Sequence, residues 1–265
     1  MPGTGPGPTP RVSVLVPCPP RAPYLAETLE SLRHQTFEDW ELVLVLDGEC
    51  ADNRRVAESV LGDRLRCVTT PRERSGPAVA RQLGLGHCRG ELLAFCDADD
   101  LCAPERLARQ VAEFDRRPDL GLLSTWARRF ATGTRRDLGA LHCPTEPDRL
   151  ARRLLLYNPV TTSTVMLRTA LAREVGGFDV RAVRVEDYDL WLRCVGRAPV
   201  AALGQELVGY RVHDAHYSSG RIIGPQSAVI RRARVEAARR LGRWPAGALV
   251  RHAAWLGVQA ARGHF

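Results

Sequence analysis

Leu92-Leu93-Ala94-Phe95-Cys96, followed at once by Asp97-Ala98-Asp99-Asp100, is the stretch that decides the fold. A short apolar run without alternation reads as a strand buried on both faces, the pattern of a parallel sheet. The acids then leave the strand at its carboxyl end, the edge at which open α/β sheets bind ligands. In an extended segment the side chains at i and i+2 point the same way, so Asp97 and Asp99 can share one hard divalent cation. Such a cation would neutralise a diphosphate and let the group beyond it leave. Read as structure alone, the same acids form a solvated turn ahead of a helix that begins near Pro104.

Strands and helices alternate on both sides of this stretch. Residues 12–16 read as a strand ended by Pro17, Pro19 and Pro20, and Leu25, Leu29 and Leu32 then share a helical face. Residues 41–46 form a second strand ending at Asp47-Gly48, residues 53–61 a helix, and residues 65–69 a weaker third strand. Gly76-Pro77 opens a helix through Val79 and Leu83, and Leu107, Val111 and Phe114 share a face beyond Pro104. The order predicts an α/β fold with a mostly parallel central sheet flanked by helices. Further on, residues 162–167 read as a strand, residues 170–175 as a helix stopped by Gly176-Gly177, and Tyr188 to Val195 as another helix. Two arginine-rich amphipathic helices follow from Gln226, split near Pro245.

Composition narrows the chemistry. With 265 residues, 45% hydrophobic and 26% charged, the chain is ordinary for a soluble globular protein. No apolar run reaches the ~18 residues of a membrane helix, and the Pro/Gly/Thr-rich start has no signal-peptide pattern. Residues 1–10 are therefore expected to be a disordered tail and the chain cytoplasmic. All 38 basic residues are arginine. A Walker-type phosphate loop and Schiff-base chemistry both need lysine, so both are excluded. The eight cysteines are scattered, with no Cys-x-x-Cys pair, and read as reduced core thiols. The whole net charge of +8 lies in residues 221–265, which carry nine arginines against Glu236 alone.

Four further positions carry potential chemistry. Asp47 follows a strand at the same edge as Asp99, where a carboxylate can accept from a nucleobase imide or a ribose hydroxyl, or simply begin an Asp-Gly turn. Ser75-Gly76-Pro77 turns into a helix whose first amides can face a phosphate, with Arg81 able to hold an anionic donor or to form a salt bridge. Asp187 is the natural general base for an acceptor hydroxyl, with Glu186 beside it raising its pKa, and Asp189 competes for the role. The same acids also suit a helix N-terminus. His213 can complete a metal shell with the Asp-x-Asp or be structural.

In order along the chain, these segments resemble the family 2 glycosyltransferases with the GT-A fold. The resemblance runs from about Val12 to Ser219. It is carried by Val12 to Pro17, Ala26 to Trp40 with Gln35-Thr36-Phe37, Leu46-Asp47-Gly48, and Gly90-Glu91 through Asp100. The later part is carried by Gly176-Gly177-Phe178-Asp179 with Glu186 through Arg193, and by Tyr210-Arg211-Val212-His213. It implies a metal-dependent, inverting transfer of a sugar from a nucleoside diphosphate (UDP, GDP or dTDP). The acceptor hydroxyl belongs to a polysaccharide, lipid carrier, peptide or natural product. On the matching positions Pro17 and Asp47 would border the base, Arg81 would contact the nucleotide, and Asp97 the ribose or donor. Asp99, with Asp97 and His213, would bind Mg²⁺ or Mn²⁺, and Asp187 would deprotonate the acceptor. Leu46 replaces the first acid of the usual Asp-Asp-Gly, Cys18-Pro19-Pro20 the usual Thr-Tyr-Asn, and Gln82 the usual Asn. These departures lie at the nucleotide end and bear on donor identity.

The implied organisation is a GT-A domain over residues 11–220, with a nucleotide-sugar half (11–124) and an acceptor half (125–220), followed by a basic helical extension (221–265). Acceptor specificity is assigned to the loops between Thr125 and Asn158. A sugar-phosphate nucleotidyltransferase shares the sheet and the carboxylates, but it brings a glycine-rich opening loop ending in Arg and Lys, where this chain has Pro17-Cys18-Pro19-Pro20. An inactive nucleotide-sugar-binding homologue is the other alternative, and donor hydrolysis discriminates it. The basic extension reads either as a helical cap on the sheet or as a peripheral contact with an anionic membrane. No recognised nucleic-acid module is present.

Overall fold

The computed structural model describes residues 9–213 and 226–261. The tail expected over residues 1–10 lies outside the described residues except for Thr9 and Pro10. Four parallel strands form half of the sheet in the order β3-β2-β1-β4, namely β1 (Val12–Cys18), β2 (Trp40–Leu46), β3 (Leu65–Thr69) and β4 (Leu92–Phe95). The sheet continues through β8 (Met166–Arg168), β6 (Leu122–Ala131), β9 (Val200–Val212) and β5 (Leu101–Cys102), with β7 (Asp137–Leu141) pairing β6. β8 is antiparallel to β4 and β6, whereas β6 and β9 run parallel. The expected α/β architecture is the observed one.

Burial explains the unbroken apolar runs. Every residue of β1 and β2 is buried. Val12, Val14, Val16, Leu42, Leu44 and Leu46 join a core with Leu25, Leu29 and Leu32 of α1 (Leu25–Arg33). Leu15, Val43 and Val45 join the second core, with Ala80 and Leu85 of α3 (Pro77–His87). Two faces, each covered by helices, leave no polar side for these strands. The remaining helices before the C-terminal pair are α2 (Ala51–Leu61), α4 (Arg106–Arg116), α5 (Pro147–Leu154), α6 (Thr169–Glu174) and α7 (Glu186–Cys194).

Two local expectations change, and two strands had none. Residues 97–100 are not extended: the Asp100 N–H donates to the Asp97 carbonyl at 3.2 Å, which makes a turn. The strand expected over 162–167 is a 3₁₀ turn, Thr162–Thr164, and β8 begins only at Met166. β5 and the long β9 had no signal in the apolar pattern, because β9 is only partly buried and its register against β6 shifts near Trp126. Under the Asp97 turn, Arg106 is fully buried and donates to the carbonyls of Phe95 (2.9 Å) and Val165 (3.3 Å). All eight cysteines are free, as expected from their scatter.

The extension forms two helices, α8 (Gln226–Arg240) and α9 (Pro245–Ala261). α8 packs on α7 and α9 through buried Ile230, Ala233, Ala237 and Ala238. Among the described residues no helix is long and apolar enough to cross a membrane.

Helix α3 lies so close to the sheet that a Cβ on Gly84 would stand 2.2 Å from Leu15 Cδ1 and 2.8 Å from Val45 Cγ2. Two residues on, exposed Gly86 would meet nothing within 4 Å. Gly84→Ala should therefore lose roughly 1–3 kcal/mol of stability in urea unfolding. Gly86→Ala should gain about 0.5 kcal/mol, because only the unfolded chain notices it.

Candidate active site

The site gathers on Arg81, which α3 carries into the interior at 5% exposure. Its Nη1 donates to Glu186 Oε1 and its Nη2 to Asp97 Oδ1, both at 2.5 Å. One guanidinium thus joins the end of β4 to the start of α7. Burial alone would lower the Arg81 pKa, but Asp97 and Glu186 more than reverse this and raise it. Both of these terminal nitrogens are engaged by protein carboxylates.

The carboxylates of the three acids after β4 turn to three different partners. Asp97 turns to Arg81, and its N–H donates to Ser163 Oγ at 3.0 Å. Asp99 Oδ2 lies 2.8 Å from His213 Nε2. Asp100 is buried, accepting from Ser163 Oγ at 2.5 Å and from the Arg211 N–H at 3.0 Å. Burial and the charges of Asp97 and Asp99 hold the Asp100 carboxyl well above the usual carboxylate range. Arg211 fixes the turn further by donating from Nε to the Asp99 carbonyl at 2.7 Å.

Of the three expected metal ligands, Asp99 and His213 meet, while Asp97 is drawn off by Arg81. Among the described residues no three His, Cys, Asp or Glu side chains stand together as a cage. A carboxylate oxygen beside an imidazole nitrogen nevertheless fits Mn²⁺ or Mg²⁺, ions that commonly take few protein ligands and complete their shell with phosphate oxygens and water.

At the same carboxyl edge, beyond β1, Asp47 is 8% exposed and accepts from the amides of Ser75 (2.7 Å) and Gly76 (2.9 Å) and from Thr70 Oγ1 (3.1 Å). It thereby orders the turn into α3. Pro17 pairs with Val45 beside it, and Asn53 Nδ2 donates to the carbonyls of Pro19 (3.1 Å) and Pro20 (3.4 Å). Gln82 Oε1 accepts from the Phe178 N–H at 2.6 Å, and a Cβ on Gly177, whose φ is +67°, would lie 2.2 Å from that oxygen. Only glycine fits there.

The two candidate bases separate because residues two apart on a helix face nearly opposite ways. Asp189 is 2% exposed and accepts from Arg193 Nε (2.9 Å) and Nη2 (2.6 Å). It belongs to a groove of about 550 Å³ between α7 and α8. Charges there pair with one another, as in Asp179–Arg181 and Arg232–Glu236. Asp187 is partly exposed and lies on the Arg81 side. Its Oδ1 accepts from the Tyr188 N–H at 2.6 Å, and its Oδ2 from Thr162 Oγ1 (2.8 Å) and Asn158 Nδ2 (3.2 Å). Burial raises the Asp187 pKa against the pull of Arg81 and Thr162. Burial also pushes Glu186 up to about 7, against Arg81 and with Asp187. Asn158, Thr162 and Ser163 were missed from sequence; the signal for the last two was the hydroxyl run from Thr161 to Thr164 ahead of an apolar strand, and Asn158 had none.

A family model described as glycosyl transferase family 2 matches residues 13–174. The amylovoran biosynthesis glycosyltransferase AmsE of Erwinia amylovora is 29% identical over 189 residues, covering 71% of this chain and 70% of AmsE. Across four curated relatives the chain spans 60–70% of their length. Among solved structures, S. aureus TarS 1-349 in complex with UDP superposes with a TM-score of 0.72 at 20% identity, over 95% of this chain and 72% of that one. The mannosyltransferase PcManGT from Pyrobaculum calidifontis, in complex with GDP-Man and Mn²⁺, superposes with a TM-score of 0.59 at 22% identity, over 97% and 76%. These structural likenesses establish the GT-A fold.

Glu186 makes stability pH-dependent. Its folded pKa of about 7 stands above its ordinary 4.5, so its contribution is fully present below pH 4.5 and is lost as pH rises through about 7. Glu186→Gln should flatten that part of the fall when urea unfolding is followed across the window.

Proposed function

Starting from the fact that this chain belongs to glycosyl transferase family 2, we propose that it transfers a sugar from a nucleoside diphosphate to an acceptor hydroxyl with inversion. The observation that carries this reading is the Arg81 bridge, which sets the Asp97–Asp99 turn against the start of α7. A donor group and a base are then available on two sides of one reacting centre. Asp187 takes the proton of the acceptor hydroxyl as its oxygen bonds to the anomeric carbon. The bond from that carbon to the diphosphate breaks in the same displacement. A raised pKa makes this carboxylate a better base than an ordinary aspartate. Asp99 and His213 would hold Mg²⁺ or Mn²⁺, which would supply positive charge for the departing diphosphate. Asp97 faces the ribose or donor and is aimed by Arg81, while Pro17 and Asp47 border the nucleoside.

A peripheral contact with an anionic membrane through residues 221–265 is a second reading, favoured by α9. Its outer face carries Leu249, Val250 and Val258 at 48%, 71% and 49% exposure, behind Trp244 at 82%. Exposed Ala253, Ala254 and Gly257 continue that face without a charge. Apolar surface of this kind beside arginines suits a headgroup layer.

Titration of UDP, GDP and dTDP, each with Mn²⁺ and with chelator, should give metal-dependent binding of one nucleotide, lost in Asp99→Asn. Asp187→Asn should keep nucleotide binding and lose about 10²–10⁴-fold in transfer rate. Wild-type turnover in that variant would sink the base assignment. The full-length protein should co-sediment with phosphatidylglycerol vesicles and Val250→Asp should weaken this; no sedimentation of the unaltered protein removes the membrane reading.

A further inference from the structure

Helix α8 lies beyond the stretch matched by the family model, yet one of its side chains reaches the groups that hold Asp187. Arg234 has no exposed surface. Its Nε and Nη2 donate to the Tyr188 hydroxyl at 3.2 and 2.9 Å, and Nη2 also donates to the Leu156 carbonyl at 3.0 Å. Nη1 lies 3.2 Å from His252 Nδ1. Burial and the nearby Arg234 and Arg231 pull His252 down to about 4, so its neutral ring accepts from Arg234. The guanidinium carbon is 5.4 Å from the Tyr188 ring centre and 4.9 Å from that of Trp255. Among the described residues its hydrogen bonds go to a hydroxyl, a carbonyl and an imidazole, with no carboxylate among them.

The two protein segments that Arg234 ties together are the two that aim Asp187. The Tyr188 hydroxyl donates to the Leu154 carbonyl at 2.6 Å, and the Tyr188 N–H holds Asp187 Oδ1. Leu156 stands two residues before Asn158, which together with Thr162 holds Asp187 Oδ2. Both carboxylate oxygens are thus oriented by segments that meet at one buried cation. We propose that Arg234 is a positioning residue, by which the C-terminal extension clamps Tyr188 to the connection after α5 and so fixes the Asp187 carboxylate for proton transfer. This rests on the reading of Asp187 as the base. The extension is then a working part of the enzyme rather than an appended cap.

The test uses the full chain with Arg234→Met, Tyr188→Phe, the double variant, and Ile230→Val as a buried α8 control outside the clamp. Arg234→Met should lower kcat about 10- to 100-fold with the donor KM nearly unchanged, as expected when a reacting group is misplaced and donor binding is spared. Tyr188→Phe should lower kcat in the same direction, and the double variant should fall no further than the worse single. Ile230→Val should lower stability and leave kcat alone. Amide exchange should quicken at residues 156–162 and 186–190 in Arg234→Met and not in Ile230→Val. Unchanged exchange there, or additive losses in the double variant, overturns the proposal. The exchange measurement needs no turnover, so failure of the base assignment, read in Asp187→Asn, is distinguishable from failure of the clamp.

Discussion

A guanidinium sealed from water requires anions against it, because it cannot shed its proton to escape the cost of burial. Arg81 meets that requirement with one carboxylate from each half of the chain, Asp97 from the end of β4 and Glu186 from the start of α7. Without the cation the two acids would face each other across a joint largely closed to water. With it, like charges become a bridge. The turn that carries Asp99, the helix that presents Asp187 and the packing of α3 between them all take their relative positions from this contact.

The parallel half of the fold was legible because its strands are buried on both faces and so have unbroken apolar runs. Leu42 to Leu46 and Leu92 to Phe95 could hardly be anything else once Asp47 and Asp97 closed them. The rim was less legible. β9 passes through buried and open blocks of two or three residues and slips register against β6, so no period of two shows. β5 has two residues and owes its existence to its partner. Thr162 to Thr164 had the β-branched composition of a strand, but the hydroxyls were needed for Asp187 and Asp100, and the backbone coils to deliver them.

The candidate site followed the same division. Acids at strand ends could be placed from sequence, and His213 does meet Asp99. Partners supplied by tertiary contact could not. Nothing local says that Arg81 faces two carboxylates and not solvent, or that Asp47 is occupied by the amides of Ser75 and Gly76, whereas the Asp189–Arg193 pair has the i,i+4 spacing of a helix. The exclusive use of arginine was visible at once. Its consequence needed the fold, because the same residue type serves exposed i,i+3 pairs such as Arg33–Glu30 and fully enclosed positions.

Of the four buried arginines among the described residues, three stand at joints of the molecule: Arg106 beneath the turn after β4, Arg81 between that turn and α7, and Arg234 between the extension and α7. Each finds its acceptors on segments far apart in sequence. In a partly assembled chain, with one layer docked and the next still open, each of these permanent cations is half desolvated and has only part of its acceptors. Such intermediates are penalised at every joint in turn. The arginines therefore act during folding as interlocks, making the sheet, the α7 layer and the C-terminal helices close as one cooperative unit.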